Sequence, residues 1–112
     1  MELNWMDEFK GAITICNLDG IIVYMNKASI VQFEKYGGKK LIGSSLVDCH
    51  PEPSKSKLVE MLKQPTENTY TTEKNGIKKI IIQTPWMENH EFKGIVEISF
   101  ELPNPTPHFV RG

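Results

Sequence analysis

Cys49 and His50 are the pair of residues in this chain whose types and spacing come closest to a chemical site. They stand side by side in the segment LVDCHPEP, residues 46–53, where Pro51 and Pro53 restrict the backbone. An adjacent cysteine and histidine are compatible with a metal or haem anchor, or with a nucleophile and its base. They are also compatible with a structural turn into the helix that follows.

Catalysis and zinc binding both require more groups than this pair provides. A cysteine nucleophile needs a base within hydrogen-bond reach and donors for an oxyanion, whereas adjacent side chains seldom meet and no Gly-rich loop is present. A structural zinc ion needs about four ligands, and Cys16, His90 and His108 are scattered along the chain. We therefore expect a non-catalytic protein without a metal site.

A structural role for the segment is the preferred interpretation. The two prolines set the chain direction before a helix that Ser54 can cap. Cys49 can pack as a small apolar residue, and His50 can donate to a loop carbonyl. Haem binding through His50 or Cys49 is retained as an alternative. A residue before proline is extended, however, which favours a His50 ring that points to solvent.

The bulk composition describes one domain of 112 residues, with 39% apolar and 24% charged residues. A net charge of −1 gives no reason to expect nucleic acid or an acidic membrane as a partner. The acidic N-terminus does not resemble a signal peptide, and no apolar run is long enough to cross a membrane. We therefore expect a cytoplasmic protein with both cysteines reduced.

Two hairpins and two helices are predicted to position these residues. Asp-Gly at 19–20 and Asn-Gly at 75–76 each join two β-rich runs, a strong signal for a tight hairpin turn. Asn26 can cap a helix that turns Ile30, Val31 and Phe33 inward. A second helix, which begins at Ser54 and ends before Pro65, places Leu58, Met61 and Leu62 on one face. Because the helices are segregated between hairpins, we predict an α+β domain with helices on one face of an antiparallel sheet.

The last strand alternates between apolar and polar residues. The pattern predicts one face turned to the core and one turned to solvent. The predicted core face contains Phe92, Val96, Ile98, Phe100 and Leu102, and the predicted solvent face contains Lys93, Glu97, Ser99 and Glu101. Pro85 in the preceding run leaves the face of Gln83 open.

The two ends of the chain differ from the domain between them. Residues 1–9 are predicted to form a short amphipathic helix, residues 10–102 the domain, and residues 103–112 a Pro-rich tail. An apolar helix outside the core needs cover, either from its own sheet or from a second copy of the chain. We expect the second copy, with a homodimer interface formed by Leu3, Trp5, Met6 and Phe9.

The landmarks along residues 10–102 together resemble a PAS domain. They are LDG at 18–20, YMNKAS at 24–29, LIG at 41–43 and Gly94 before the last strand, and the CHPxxS at 49–54 resembles a bacterial PAS variant. The resemblance implies a five-stranded antiparallel sheet cupped over short helices. It also implies a sensor that dimerises and passes a ligand-dependent change to an output domain. Residues 1–112 show no output domain, so we expect a chain that signals through a partner, a binding module, or a fragment of a longer protein.

The resemblance also implies a small-molecule pocket between sheet and helices. Its expected lining is Phe33, Leu46, Cys49, His50, Ile80, Ile82, Thr84, Val96, Ile98 and Phe100. The same pattern describes a filled core. A flavin photoadduct is rejected, because the thiol of light-sensing members would fall at Leu46, three residues after Gly43, and Cys49 lies one helical turn later.

The sequence therefore predicts a non-catalytic sensory or ligand-binding module of bacterial signal transduction. Its expected partners are a second copy of the chain, a small-molecule ligand and a signalling output protein. Two alternatives remain: a pure interaction or dimerisation module with a filled core, and a haem-binding gas or redox sensor.

Overall fold

A computed structural model describes residues 3–112 as one antiparallel sheet with helices on one face, which confirms the predicted α+β architecture. The strands lie in the order β2-β1-β5-β4-β3. Single 3-10 turns occur at Trp5–Glu8, Glu34–Tyr36, Gly38–Leu41 and Val47–Cys49. The longer elements are β1 (Ala12–Asn17), β2 (Ile22–Met25), α1 (Lys27–Gln32), α2 (Ser54–Lys63), β3 (Asn68–Lys74), β4 (Ile77–Glu88) and β5 (Glu91–Glu101).

Both predicted hairpins are confirmed. Asn75 and Gly76 have φ angles of 53° and 79°, the positive values that a two-residue turn of the primed type requires. This turn holds β3 and β4 in register from Lys74 opposite Ile77 to Asn68 opposite Gln83. The turn between β1 and β2 likewise places Gly20 at a φ of 78°.

The helices cover the face of the sheet that carries Cys16 and Ile95. These two residues are register partners on β1 and β5, and they pack with buried side chains of α2 and of the 46–49 segment. Leu58 and Met61 of α2 are fully buried, as the spacing predicted. The prediction for α1 was partly wrong, because Val31 is 69% exposed while Ile30 and Phe33 pack on the core.

The predicted core face of β5 is the wrong face. Register partners share a face and alternate residues change it, so Glu97 and Ser99 lie with Ile95 beneath the helices. Both are buried, whereas Phe100 is 40% exposed on the opposite side. The bulge in β4 lies between Trp86 and Met87, beyond Gln83, so the alternation places Gln83 on the helix-covered face.

Asn26 ties the first helix to the segment before β1. Its backbone caps α1, and its side-chain oxygen accepts from the N–H groups of Ser29 and Ile13, at 2.9 Å each. Its side-chain nitrogen donates to the carbonyl oxygens of Met6 at 2.9 Å and Gly11 at 3.0 Å. The predicted cap is confirmed, and the side chain joins three segments as well.

The entry to α2 differs from its prediction. Ser54 is the first helical residue and makes no capping bond. Glu52 satisfies the helix start instead, because its carboxylate accepts from the backbone N–H of Ser56 at 2.9 Å and from its hydroxyl at 2.8 Å. These bonds and the charge of Lys55 hold the pKa of Glu52 below its ordinary value.

The N-terminal segment is shorter in regular structure than predicted. It forms one 3-10 turn, Trp5–Glu8, and residues 1–2 of the predicted 1–9 helix lie outside the described part. Trp5 and Phe9 meet edge to face, with ring centroids 5.6 Å apart. Leu3 and Trp5 are 73% and 55% exposed, and Met6 and Phe9 are each 38% exposed. Within residues 3–112, no helix is long and apolar enough to cross a membrane.

Candidate functional site

His50 lies beneath the helical layer and contacts the sheet, not solvent. Its Nε2 atom is 2.9 Å from Oε2 of Glu97, and its Nδ1 atom is 2.9 Å from the carbonyl oxygen of Leu46. The side chains of His50 and Glu97 are 10% and 6% exposed. The predicted bond to a loop carbonyl is present, but the expectation of a solvent-facing ring is wrong because Glu97 attracts the ring inward.

Glu97 belongs to a line of polar side chains that crosses the sheet. Gln83 donates from Nε2 to Oε2 of Glu97 at 2.8 Å and accepts from Nδ2 of Asn68 at 3.0 Å. Thr14, Glu97, Gln83 and Asn68 are successive register partners on β1, β5, β4 and β3. We call these four residues the inner polar row.

The helical layer supplies further partners for this polar face. The hydroxyls of Thr14 and Ser29 lie 2.6 Å apart, and Ser99 donates to Oε1 of Gln32 at 3.2 Å. Among residues 3–112, every fully buried side-chain nitrogen or oxygen has a hydrogen-bond partner. The polar groups are therefore satisfied internally, which offsets the cost of removing them from water.

The electrostatics of the site favour a proton on His50. Burial lowers the pKa of His50, but the hydrogen bond and negative charge of Glu97, with the Leu46 carbonyl, outweigh it and raise the pKa above its ordinary value. Since Oε2 of Glu97 also accepts from Gln83, it is a fixed acceptor on the sheet side. The site can hold and release a proton.

Cys49 does not have the properties of an activated thiol. It is exposed at the rim of this site, so it does not pack as the small apolar residue that the structural interpretation allows. Partial desolvation and the carboxylates of Asp48 and Glu97 raise the pKa of the thiol, which favours its neutral form. His50 does not act as its base, because both ring nitrogens are bonded elsewhere.

Haem ligation does not fit this arrangement. An iron ligand needs a free lone pair on a ring nitrogen, and Nε2 of His50 is committed to the buried carboxylate of Glu97 while Nδ1 is bonded to a carbonyl. A cysteine ligand would be a thiolate, which the raised pKa of Cys49 disfavours. Neither residue that the sequence offered for haem is arranged to bind it.

The residues predicted to line a pocket are divided between the two faces of the sheet. Phe33, Leu46 and His50 lie on the helix-covered side, with Cys49 at its rim. The six residues from the strands lie on the opposite face, where their register pairs are Ile80 with Phe100, Ile82 with Ile98, and Thr84 with Val96. The sequence prediction assumes that the polar residues of the strands face solvent. This assumption assigns all six strand residues to the wrong face of the sheet.

Sequence reasoning missed Glu97, Gln83 and Asn68 as members of one cluster. Glu97 was assigned to solvent because of its charge, although it is only 5% exposed. The order and register of the strands bring the three together, and neither can be read from residue spacing. Gln83 carried the one available signal, as a polar residue within an otherwise apolar run.

Three surface grooves lie away from this cluster. One groove has a volume of about 700 Å³ and lies between the N-terminal turn, α1 and the end of β5, where Phe9, Val31 and Phe100 contribute to its walls. Two smaller grooves border the turn between β3 and β4. Gln83, Glu97 and His50 line none of these three grooves in the described chain.

Comparison with solved structures identifies the fold. The chain resembles a C-terminal domain from Streptococcus mutans, with a TM-score of 0.66 and 18% identity over 87% of this chain and 79% of that one. It resembles the PAS domain of BvgS from Bordetella pertussis, with a TM-score of 0.60 and 14% identity over 88% and 82%. It also resembles the Aer2 receptor from Vibrio cholerae, described as a dual PAS-haem oxygen sensor, with a TM-score of 0.61 and 14% identity over 83% and 95%.

The chain has a PAS fold. The five-stranded sheet and its helices match these structures over more than four-fifths of the chain. No protein-family model matches the sequence, and the comparison with curated proteins found no match. The likeness therefore defines the architecture, and the function has to be argued from the site.

Proposed function

We propose that this chain is a non-catalytic sensory module of bacterial signal transduction, which acts in the cytoplasm as a homodimer. The PAS fold supports this, because structures with the same fold include the sensor region of a sensor histidine kinase and an oxygen-sensing receptor. The observation that carries the proposal is the inner polar row with His50, which places a titratable, hydrogen-bonding surface inside the domain.

A buried row of this kind is costly as a structural device alone. Replacing a buried ion pair by apolar residues of similar size is often neutral or stabilising, so the pair of His50 and Glu97 is weak support for stability. The neighbouring positions show that the fold accepts apolar residues here, since Ile95 and Ile81 occupy the same face. We therefore assign the row to an input site.

The proposed ligand is a small polar molecule that binds between the helical layer and the sheet. On the helical side the site contains Phe33, Leu46 and His50, with Cys49 at the rim. On the sheet side Gln83 and Glu97 take the place of the six strand residues first expected. Amide and carboxylate groups can orient a ligand that offers both donors and acceptors.

A thermal-shift screen of polar metabolites tests this proposal on matched variants. Gln83→Leu removes a buried amide from the row, whereas Thr84→Val removes a hydroxyl from the next residue, which faces the other side of the sheet. A ligand of the row should raise the melting temperature of wild type and of Thr84→Val but not of Gln83→Leu. Equal stabilisation of both variants would place the ligand elsewhere.

A pure interaction module with a filled core is the second candidate. Its support is that none of the three grooves described above includes Gln83, Glu97 or His50, and that the row is already satisfied by internal bonds. This candidate predicts no stabilisation by any metabolite, together with a stable dimer.

The proposed dimer interface is the exposed apolar N-terminal segment. Leu3, Trp5, Met6 and Phe9 form an uncovered apolar surface, and a second copy of the chain is the proposed cover. Asn26 connects this segment to the sheet through its bonds to Met6 and Gly11. The segment therefore offers a route from the domain to an output protein.

A further inference from the structure

His50 is held between two oxygen atoms that belong to different layers of the domain. The carbonyl oxygen of Leu46 belongs to the segment that leads to α2, and Oε2 of Glu97 belongs to β5. A carbonyl oxygen only accepts, so Nδ1 must carry a hydrogen and donate it. The contact between Nε2 and Oε2 also needs one hydrogen between its two atoms.

The two contacts therefore require two hydrogens in total. With both present, the pair of His50 and Glu97 is neutral overall, whichever of the two atoms holds the shared proton. When that proton leaves to solvent, a neutral imidazole has one hydrogen for two acceptors. One contact must then break, and the pair carries a net charge of −1.

We propose that His50 and Glu97 form a proton-operated connection between the segment that leads to α2 and the sheet. Both contacts are made while the pair holds its shared proton, and one is lost when the proton is released. This pair therefore responds to a proton in addition to the small molecule proposed above. The element that responds is the 46–63 segment, which contains the turn at Val47–Cys49 and α2.

The other ionisable groups around the pair do not compete for this role. Burial raises the pKa of the Cys16 thiol from β1 and of the Tyr70 hydroxyl from β3, and partial burial does so for Cys49, so all three stay neutral near pH 7. Asp48 is exposed, and its carboxylate lies 3.7 Å from Nζ of Lys55. The pair is therefore the group of this cluster to which we assign the exchange of a proton.

As a biological signal, this connection rests on the proposed sensory function, but its test does not. Imidazole nitrogen spectra of the ¹⁵N-labelled chain, recorded from mildly acidic to mildly alkaline pH, report the protonation of His50 directly. We expect His50 to titrate above the ordinary histidine value of about 6.5. The backbone amides of residues 46–63 should shift with the same midpoint.

Two variants separate the connection from general effects of pH. Glu97→Gln removes the charge that holds the proton while burial remains, so the His50 midpoint should fall and the coupled shifts of α2 should be lost. His108→Gln, in the exposed tail, should leave both unchanged. The wild-type titration decides the matter even if Glu97→Gln fails to fold.

Two results would overturn the inference. A His50 midpoint at or below the ordinary value would show that the pair does not hold the proton. Titration of His50 without a coupled change in residues 46–63 would show that no connection is released. Either result would leave the ligand screen and the dimer as separate tests of the sensory function.

Discussion

At the scale of single residues, the side chain of Asn26 connects the N-terminal turn, the start of β1 and α1 by hydrogen bonds. Its side chain accepts two backbone N–H bonds and donates to the carbonyls of Met6 and Gly11, all within 3.0 Å, and it is fully buried. Removing this side chain leaves several buried backbone groups without partners, and each costs about 1–3 kcal/mol. We therefore expect Asn26 to contribute more to the free energy of unfolding than a helix cap with a single hydrogen bond.

We predict that Asn26→Ala lowers the free energy of unfolding by about 3 kcal/mol, measured by urea denaturation. Asn17→Ala is the matched control. Asn17 also ends a strand and accepts two N–H bonds, at 3.0 and 3.1 Å, but it serves a partly exposed turn. The control should lose about 1 kcal/mol, because water replaces its bonds. Equal losses would show that Asn26 is an ordinary cap.

His50 makes the stability of the domain depend on pH. Its pKa is raised in the folded state, so the folded chain binds more protons than the unfolded chain between the two pKa values. This contribution to stability is fully present below the unfolded value of about 6.5 and is lost as pH rises through the folded pKa. Stability should therefore decrease with rising pH in that window.

Urea denaturation at a series of pH values measures this slope. His50→Gln and Glu97→Gln should each flatten it, because neither variant retains a histidine held by a buried carboxylate. His108→Gln should retain the wild-type slope. A wild-type stability that increases with pH across the same window would contradict the raised pKa of His50.

At the scale of elements, Gly94 allows β1 and β5 to pair closely. It lies opposite Asn17, and a Cβ atom added there would lie 1.9 Å from the carbonyl oxygen of Cys16. That oxygen belongs to the backbone of a central strand and cannot move without breaking the ladder. The φ angle of Gly94, 154°, adds a conformation that other residues rarely adopt.

We predict that Gly94→Ala destabilises the domain by on the order of 4 kcal/mol, seen as a large fall in melting temperature. Gly76→Ala is the control for conformation alone, since Gly76 also has a positive φ but a Cβ there would meet nothing within 4 Å. It should cost about 1 kcal/mol. Similar losses in both variants would mean that β1 and β5 can separate to make room.

The elements that the sequence predicted correctly are those set by local chemistry. Asn75-Gly76 supports positive φ angles regardless of the rest of the chain, and the side chain of Asn26 caps the helix directly after it. The errors arose where distant residues decide the outcome. The sequence predicts that Ser54 caps α2. In the structure Ser54 is the first helical residue, and the longer side chain of Glu52 accepts the N–H bond at the helix start.

At the scale of the whole molecule, the helices cover the polar face of β5, whereas the alternation of the sequence predicts that they cover the apolar face. The side of β5 that carries Glu97 and Ser99 is covered by helices because His50 and Gln83 satisfy Glu97, and Gln32 of α1 satisfies Ser99. A polar residue in a strand faces solvent only if the interior offers it no hydrogen-bond partner. The sequence does not show which strands become neighbours, so it does not reveal such partners. This is why the fold was predictable and most of the site was not.

The exposed N-terminal segment predicts self-association. Leu3→Ser with Trp5→Ser, in the full chain, should convert a dimer to a monomer in light scattering, because about two large apolar contacts per subunit are lost. Phe109→Ser with Val110→Ser is the matched control, since these side chains are 69% and 90% exposed in the C-terminal tail, outside the N-terminal segment. A mass that responds equally to both double variants would contradict an interface at residues 3–9.

Native mass spectrometry of the purified chain tests the sensory proposal most directly, because one spectrum reports bound molecules and stoichiometry together. We expect a dimer that carries a small molecule in wild type and in Thr84→Val, and a dimer without that molecule in Gln83→Leu. A wild-type spectrum that shows only the unliganded monomer would contradict both the ligand and the dimer.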